Sequence, residues 1–360
     1  MKKSAVIENA NEASQRKNDH IRICTDYNVE SSIEARPFDK FQLRAEAWPD
    51  FSIEDVSTQQ RFLGTNFSMP LLITGMTGGV ERGQEINETL ALAAQKFQIP
   101  LGLGSQKIVL ADPQKRKLFD VRKVAPKAFV IGNMGLVSLN YGVKVDDILA
   151  LVESFELNAF AFHLNALQEA IQPEGERNFS NLASFLKEAV LRLPVPVMVK
   201  EVGAGVGPDT FRRIVECGVS AVDVGGQGGT SWGYIEGLRG NSQTQRMGSL
   251  FRNWGISTEQ SLNACVATQN SLKDKFPEIV ATGGIRDGLQ VAKAIALGAT
   301  LAGVGLPLFK AVVSPPSGMS PFDALCQELD FFEKSLKIAM FCSGARNLKS
   351  LREVHKNDTN

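Results

Sequence analysis

The stretch IVATGGIRDGLQVAKAIALGATLAGVG, residues 279–305, contains the repeating unit that decides the fold. A short apolar run, IVAT, ends in Gly283 and Gly284. A segment with apolar residues at helical spacing follows over 287–299, and a second apolar run, LAGVG (301–305), comes after it. Apolar runs without polar alternation suit parallel strands covered on both faces. Strand, helix and strand in this order make one βαβ unit.

The same pattern recurs upstream. Further runs are LLITG (71–75), LGLG (101–104), FVIGN (129–133), AFAFHLN (159–165), PVMVKEV (196–202) and AVDVGG (221–226), which brings the count to eight. Segments of helical period lie between them, for example QEINETLALAAQKF (84–97). Eight strands, each followed by a helix, predict an α/β fold of the (β/α)8 TIM-barrel type, which takes ~250 residues. A doubly wound open sheet also alternates strand and helix, and periodicity alone does not separate the two. The count of eight favours the barrel. The expected division is an N-terminal extension over 1–65, polar and partly mobile, a barrel over 66–350, and a polar tail over 351–360. Residues 227–278, after strand six, are too many for a turn and one helix. The part from Gln227 to Gly255 reads as a long inserted loop over the barrel mouth.

Composition narrows the function. Lys plus Arg, 39, equals Asp plus Glu, 39, so no overall charge draws the chain to nucleic acid or an anionic membrane. The five cysteines are scattered without a CxxC pair, which fits a reducing, cytoplasmic location. The start, MKKSAVIENANEASQRK, has no apolar core of a secretory signal, and no apolar run reaches the ~18 residues of a membrane span.

In such a barrel the chemistry sits at the C-terminal strand ends. Strands six, seven and eight end in GGQGGT (225–230), GGIRDG (283–288) and GVGLP (303–307). One glycine pair is an ordinary tight turn. Three at adjacent strand ends favour backbone N–H groups closing on a phosphate. Lys200, at the end of strand five, points inward on the same face as Met198. It reads either as a rim ion pair or as a cation beside the electron-rich edge of a flavin, with Asn133, Ser105 and Thr77 as neutral partners. In strand four, His163 and Asn165 share one face, and Gln168 and Glu169 follow over the mouth. Glu169 is either a helix-start carboxylate or a Mg2+ ligand shared with substrate oxygens. In QRKNDHI (15–21), Arg16 and His20 are helical i,i+4 neighbours. With Lys17 they read as a solvated charged face or as an arm that clamps a diphosphate.

At these residues the sequence resembles the type 2, FMN-dependent isopentenyl-diphosphate isomerases. The match runs in order through RKNDHI, GMTGG, LGSQ, HLNALQE, PEGERNFS, VKEVGAG, GGQGGT, NWGIST, GGIRDG and AKAIALGA, and spans nearly the whole chain. The resemblance implies a diphosphate site at Arg16 and Lys17 with His20 alongside. It implies FMN contacts at Gly75, Met76, Thr77, Ser105, Asn133, Lys200 and Thr230. Gly283 and Gly284 match the phosphate loop, with Gly305 and Leu306 closing it. Gln168 matches a substrate contact and Glu169 the Mg2+ ligand. His163 and Asn165 match the substrate-facing pair. Gly75 stands where the family commonly carries alanine, and Gly305–Leu306 where it carries Ala–Gly. The implied reaction interconverts isopentenyl and dimethylallyl diphosphate by an allylic proton shift, with reduced FMN as acid and base and NADPH as reductant. The implied assembly is a homo-oligomer, tetramer or octamer. The alternative is an FMN-dependent oxidoreductase of a small phosphorylated or carboxylate substrate. Its usual marks, a histidine in the strand-seven region or a cysteine in a late glycine-rich loop, are missing from VGGQGGTSW and TGGIRDG. A catalytically silent flavin protein would have lost the polar end of strand four, and HLNALQE retains it.

Overall fold

Eight parallel strands close on themselves in a computed structural model that describes residues 10–31, 37–271 and 277–358. A short antiparallel hairpin comes first, β1 (Gln60–Phe62) and β2 (Thr65–Phe67). The barrel follows as β3 (Leu71–Ile73), β4 (Leu101–Gly102), β5 (Val130–Gly135), β6 (Ala159–Leu164), β7 (Val197–Glu201), β8 (Ala221–Asp223), β9 (Glu278–Thr282) and β10 (Leu301–Val304). Neighbours pair in chain order, and β10 pairs with β3 to complete the ring. Each of the eight apolar runs is therefore a barrel strand.

Period-two alternation sorts the interior into two levels. Ile131, Ala161, Met198, Ala221, Val280 and Leu301 point inward and pack with Phe62 and Phe67 of the hairpin. The hairpin thereby plugs the N-terminal end of the barrel. Two residues further along their strands come Asn133, His163, Lys200, Asp223 and Thr282. The inner face thus changes from apolar to polar as the strands reach their C-terminal ends. Register fixes the neighbours: His163 lies opposite Lys200, and Lys200 opposite Asp223.

Three expectations are corrected. The insert after β8 is not a loop. It carries helices Trp232–Arg239 and Ser242–Leu250 before the barrel helix Thr258–Ser271. The first two touch backbone to backbone, since a Cβ on Gly237 would sit 2.8 Å from the Gly248 Cα. The extension is not simply polar. Residues Ala10–Asp26 form a helix that buries Ala13, Ile21 and Cys24, positions 8 and 3 residues apart on one face. Beyond it, the Lys293 ammonium donates to the Phe38 carbonyl at 2.9 Å, which ties the extension to the barrel wall. The polar tail begins as a packed helix, Leu348–Asp358, with Leu348 and Leu351 buried. The hairpin runs across residues 65 and 66, and this last helix across 350 and 351. Among the described residues no helix is long and apolar enough to cross a membrane.

Candidate active site

Two contiguous chambers open at the C-terminal strand ends. The first has a volume of about 850 Å³, its open mouth included, and a glycine-rich wall, with Thr230, Gly283, Gly284, Gly305 and Leu306 along it. The second has a volume of about 1550 Å³, open to solvent, and is lined by polar side chains that include Arg16, Lys17, His163, Asn165, Gln168 and Glu169. They share one wall, made by His20, Gly75, Met76, Thr77, Lys200, Val202 and Trp232. Ser105 and Asn133, expected beside the flavin, border the second chamber.

In the first chamber, the loop after β9 packs against the loop after β8 without room for side chains. Gly283 and Gly284 have φ of 125° and 75°, and a Cβ on either would lie 2.1 Å or 2.3 Å from the carbonyl oxygens of Gly226 or Gly228. The wall made by these two loops is therefore bare backbone, which can approach a phosphate closely. Gly305 and Leu306 line the same wall at the start of helix Leu306–Val313. The departure at Gly75 has a local cause. An alanine Cβ there would approach the Leu103 carbonyl oxygen to 2.2 Å.

Lys200 is buried in the shared wall. Burial lowers its pKa, and the opposing charges of Asp223 and Glu201 raise it. Burial pushes the Asp223 carboxyl up to about 6 against the pull of Lys200. Burial likewise raises Glu201 to about 7, even though Oε2 accepts from the backbone N–H groups of Val202, Gly203, Ala204 and Gly205. Asp223 and Glu201 are thus the negative partners that keep this buried amine in the wall. A glycine-lined loop and a buried cation lining one chamber form a donor set that fits FMN.

In the second chamber, His163 is held by Asn133. The Asn133 Nδ2 donates to the Leu103 carbonyl at 2.9 Å, which leaves its Oδ1 to accept from His163 Nδ1 at 2.8 Å. The Nδ1 proton is thereby assigned and Nε2 is an acceptor. Burial, then the charges of Lys200, Lys17, Lys107 and Arg16, lower the imidazole pKa to about 3, so the ring is neutral. Asn165 stands just before the short helix Ala166–Ile171, and its Nδ2 donates to Gln168 Oε1 at 3.1 Å and to Glu169 Oε1 at 2.8 Å. The Glu176 N–H donates to Glu169 Oε2 at 2.6 Å. Burial raises the Glu169 pKa, opposed by these two hydrogen bonds. Among the described residues no group of three or more His, Cys, Asp or Glu is placed to hold a metal alone. A single carboxylate with oxygen-bearing neighbours fits Mg2+, which prefers hard oxygen donors and few protein ligands.

The N-terminal helix brings Arg16, Lys17 and His20 to this chamber. Lys17 donates to the Ser105 carbonyl at 3.1 Å, and Arg16 lies 3.9 Å from Glu174. His20 turns its Nε2 to Glu236 Oε1 at 2.9 Å, so in this arrangement it anchors the helix. Gln168 Nε2 donates to the same oxygen at 2.8 Å, and Arg239 bonds the other. Glu236 is fully buried. Burial would raise its pKa, but His20, Arg239 and Gln168 outweigh this and hold it at about 2.

Glu236, Arg239, Trp232, Lys107, Glu174, Glu176 and Arg286 were not singled out from the sequence, and all belong to the walls of the two chambers or to the network behind them. In WGYIEGLR the spacing of Trp232, Glu236 and Arg239 is helical, but the insert reads as a loop because of its glycines. Arg286 sits in the quoted GGIRDG, next to the glycines.

A family model described as FMN-dependent dehydrogenase matches residues 161–357. The chain is 36% identical over 343 residues to an isopentenyl-diphosphate delta-isomerase of Nostoc sp., covering 95% of each chain. It is 39% identical over 341 residues to the enzyme of that name from Rickettsia canadensis, covering 94% of this chain and 96% of the relative. For the one from Rickettsia typhi the identity is 38% over 350 residues, covering 97% and 99%. Among solved structures, a mandelate oxidase with an FMN adduct superposes with a TM-score of 0.61 at 16% identity, covering 96% of this chain and 98% of the other. A lactate oxidase of Pediococcus acidilactici gives 0.65 at 13% identity, covering 96% and 93%. These two likenesses concern the barrel fold alone.

Proposed function

The chain belongs to the type 2, FMN-dependent isopentenyl-diphosphate delta-isomerase family, and from that premise we propose how its two chambers divide the reaction. The enzyme interconverts isopentenyl and dimethylallyl diphosphate. The glycine-rich chamber would hold FMN, with Gly283, Gly284, Gly305 and Leu306 for its phosphate and Met76, Thr77 and Lys200 for its ring. The substrate occupies the polar chamber. One observation carries this reading: the chambers meet at a single wall that contains the buried Lys200.

When bound and reduced, FMN supplies the proton-transferring groups beside the hydrocarbon tail. The protein does the rest. Lys200 balances negative charge at the shared wall. Arg16 and Lys17 hold the diphosphate by charge-assisted hydrogen bonds. That end supplies binding energy and orientation for a reaction at the other. Glu169 would be the protein ligand of Mg2+, which would supply charge neutralisation at the diphosphate. His163, neutral, offers an acceptor at Nε2, and Gln168 and Asn165 orient the substrate. Glu236 fixes Gln168 and, through His20, the helix that carries the arm.

NADPH is the proposed reductant. The proposed assembly is a homo-oligomer, tetramer or octamer, in the cytoplasm, and the exposed Met247, Leu250 and Trp254 on the insert support self-association. The test of the function is incubation of the purified protein with isopentenyl diphosphate, FMN, Mg2+ and a reductant under anaerobic conditions. Dimethylallyl diphosphate is the expected product, and its absence from a flavin-loaded protein would overturn the reading.

A further inference from the structure

Two cations of the polar chamber, Arg16 and Lys107, have carboxylate partners from one loop. Glu174 accepts from Arg239 at 2.9 Å and lies 3.9 Å from Arg16. Glu176 accepts from Lys107 at 2.7 Å and from the Ser138 hydroxyl at 2.7 Å. Both belong to residues 172–177, and both line the chamber. The backbone of that loop is pinned. Its Glu176 N–H is bonded to Glu169, and Arg177 donates to the carbonyls of Glu169 and Gln172. A Cβ on Gly175 would stand 1.9 Å from the Glu169 carbonyl oxygen. With the backbone held by these bonds and this close packing, the two side chains are the parts that can leave.

An anion that reaches Arg16 or Lys107 therefore exchanges with a carboxylate already paired to it. A single phosphate can replace one of them, and the other stays as a like charge beside it. A diphosphate has two anionic groups and can replace both, one toward Arg16 and one toward Lys107. Selectivity of this kind comes from what repels the wrong ligand as much as from what attracts the right one. We propose that Glu174 and Glu176 are specificity-determining residues, which make the chamber select a diphosphate over a monophosphate by holding its cations until both carboxylates are displaced. The inference rests on the reading that the diphosphate binds in the polar chamber.

The test is calorimetric binding of inorganic pyrophosphate and of inorganic phosphate to the FMN-loaded enzyme at a fixed Mg2+ concentration. The wild type should prefer pyrophosphate. Glu174→Gln and Glu176→Gln should each bind phosphate about tenfold tighter, a change of about 1.4 kcal/mol, with a smaller gain for pyrophosphate, so that the preference shrinks. Glu174 is 36% exposed, so its variant tests the idea without threatening the fold, and retained flavin absorbance checks this. An unchanged or wider preference, or weaker binding of both anions, overturns the inference while leaving the diphosphate site in place. Failure of the wild type to bind pyrophosphate overturns the inference and the reading beneath it.

Discussion

His163 and Asn133 are locked together at 2.8 Å through Nδ1 and Oδ1, and the Asn133 amide is in turn fixed by the Leu103 carbonyl. This pair decides that the only histidine on a barrel strand acts as a neutral acceptor. Its pKa, about 3 against an ordinary 6.5, is lowered by burial and by four nearby cations. The imidazole proton resonances of His163 should therefore stay unmoved between about pH 5 and pH 8. Asn133→Asp places a carboxylate at Nδ1 and should raise the pKa and bring the transition into view. A midpoint near the ordinary value in the wild type would contradict the assignment.

Glu236 gives a second pH signature. Its pKa falls from an ordinary 4.5 to about 2 in the fold. A depressed carboxyl contributes stability that is present above the unfolded pKa and is lost as pH falls from about 4.5 toward 2. Glu236→Gln should lower stability by about 3 kcal/mol at neutral pH, because it leaves Arg239 and His20 without their shared charge. Urea denaturation of the two proteins at pH 7 and pH 3 checks this. A difference in stability that does not shrink at the lower pH would show that the carboxylate charge is not the cause.

The arm is better tested by point changes than by truncation, because Ala13 and Ile21 are packed in the core. Arg16→Ala and Lys17→Ala should each raise KM for isopentenyl diphosphate by about tenfold or more, as a charge-assisted hydrogen bond is lost. The flavin absorbance should be unchanged. Normal KM in both variants would leave the arm without a role in binding.

For the metal, Glu169→Gln should abolish most of the Mg2+ dependence of pyrophosphate binding and most of the activity, with FMN retained. Calorimetry with and without a chelator reads this directly. A variant with wild-type metal dependence would assign the ion to other groups.

The barrel is legible in the sequence because buried parallel strands need apolar residues on both faces, and the eight runs have little else. The polar level above them follows from the two-residue period, which carries His163, Lys200 and Asp223 from the strand ends into one layer. What stayed hidden lies where a residue type has two meanings. Gly237 and Gly248 read as loop residues because glycine disfavours helix, yet their missing side chains let the two insert helices touch. With that helix unread, Glu236 had no face to sit on. In the extension, Ala13, Ile21 and Cys24 are too few among polar neighbours to stand out as an apolar stripe. Ser105 and Asn133 read as flavin partners from their strand ends and from the resemblance alike, and the closed ring adds that they border the polar chamber.

The central claim is that this flavin site moves protons without net redox change. The measurement that tests it most directly is the number of dimethylallyl diphosphate molecules formed per NADPH oxidised, under anaerobic conditions in D2O. The account predicts no turnover with oxidised FMN, many product molecules for each reducing equivalent once it is reduced, and deuterium bound to product carbon. Product formed one for one with NADPH oxidised would contradict it, and would make the enzyme a reductase whose polar chamber orients a hydride transfer.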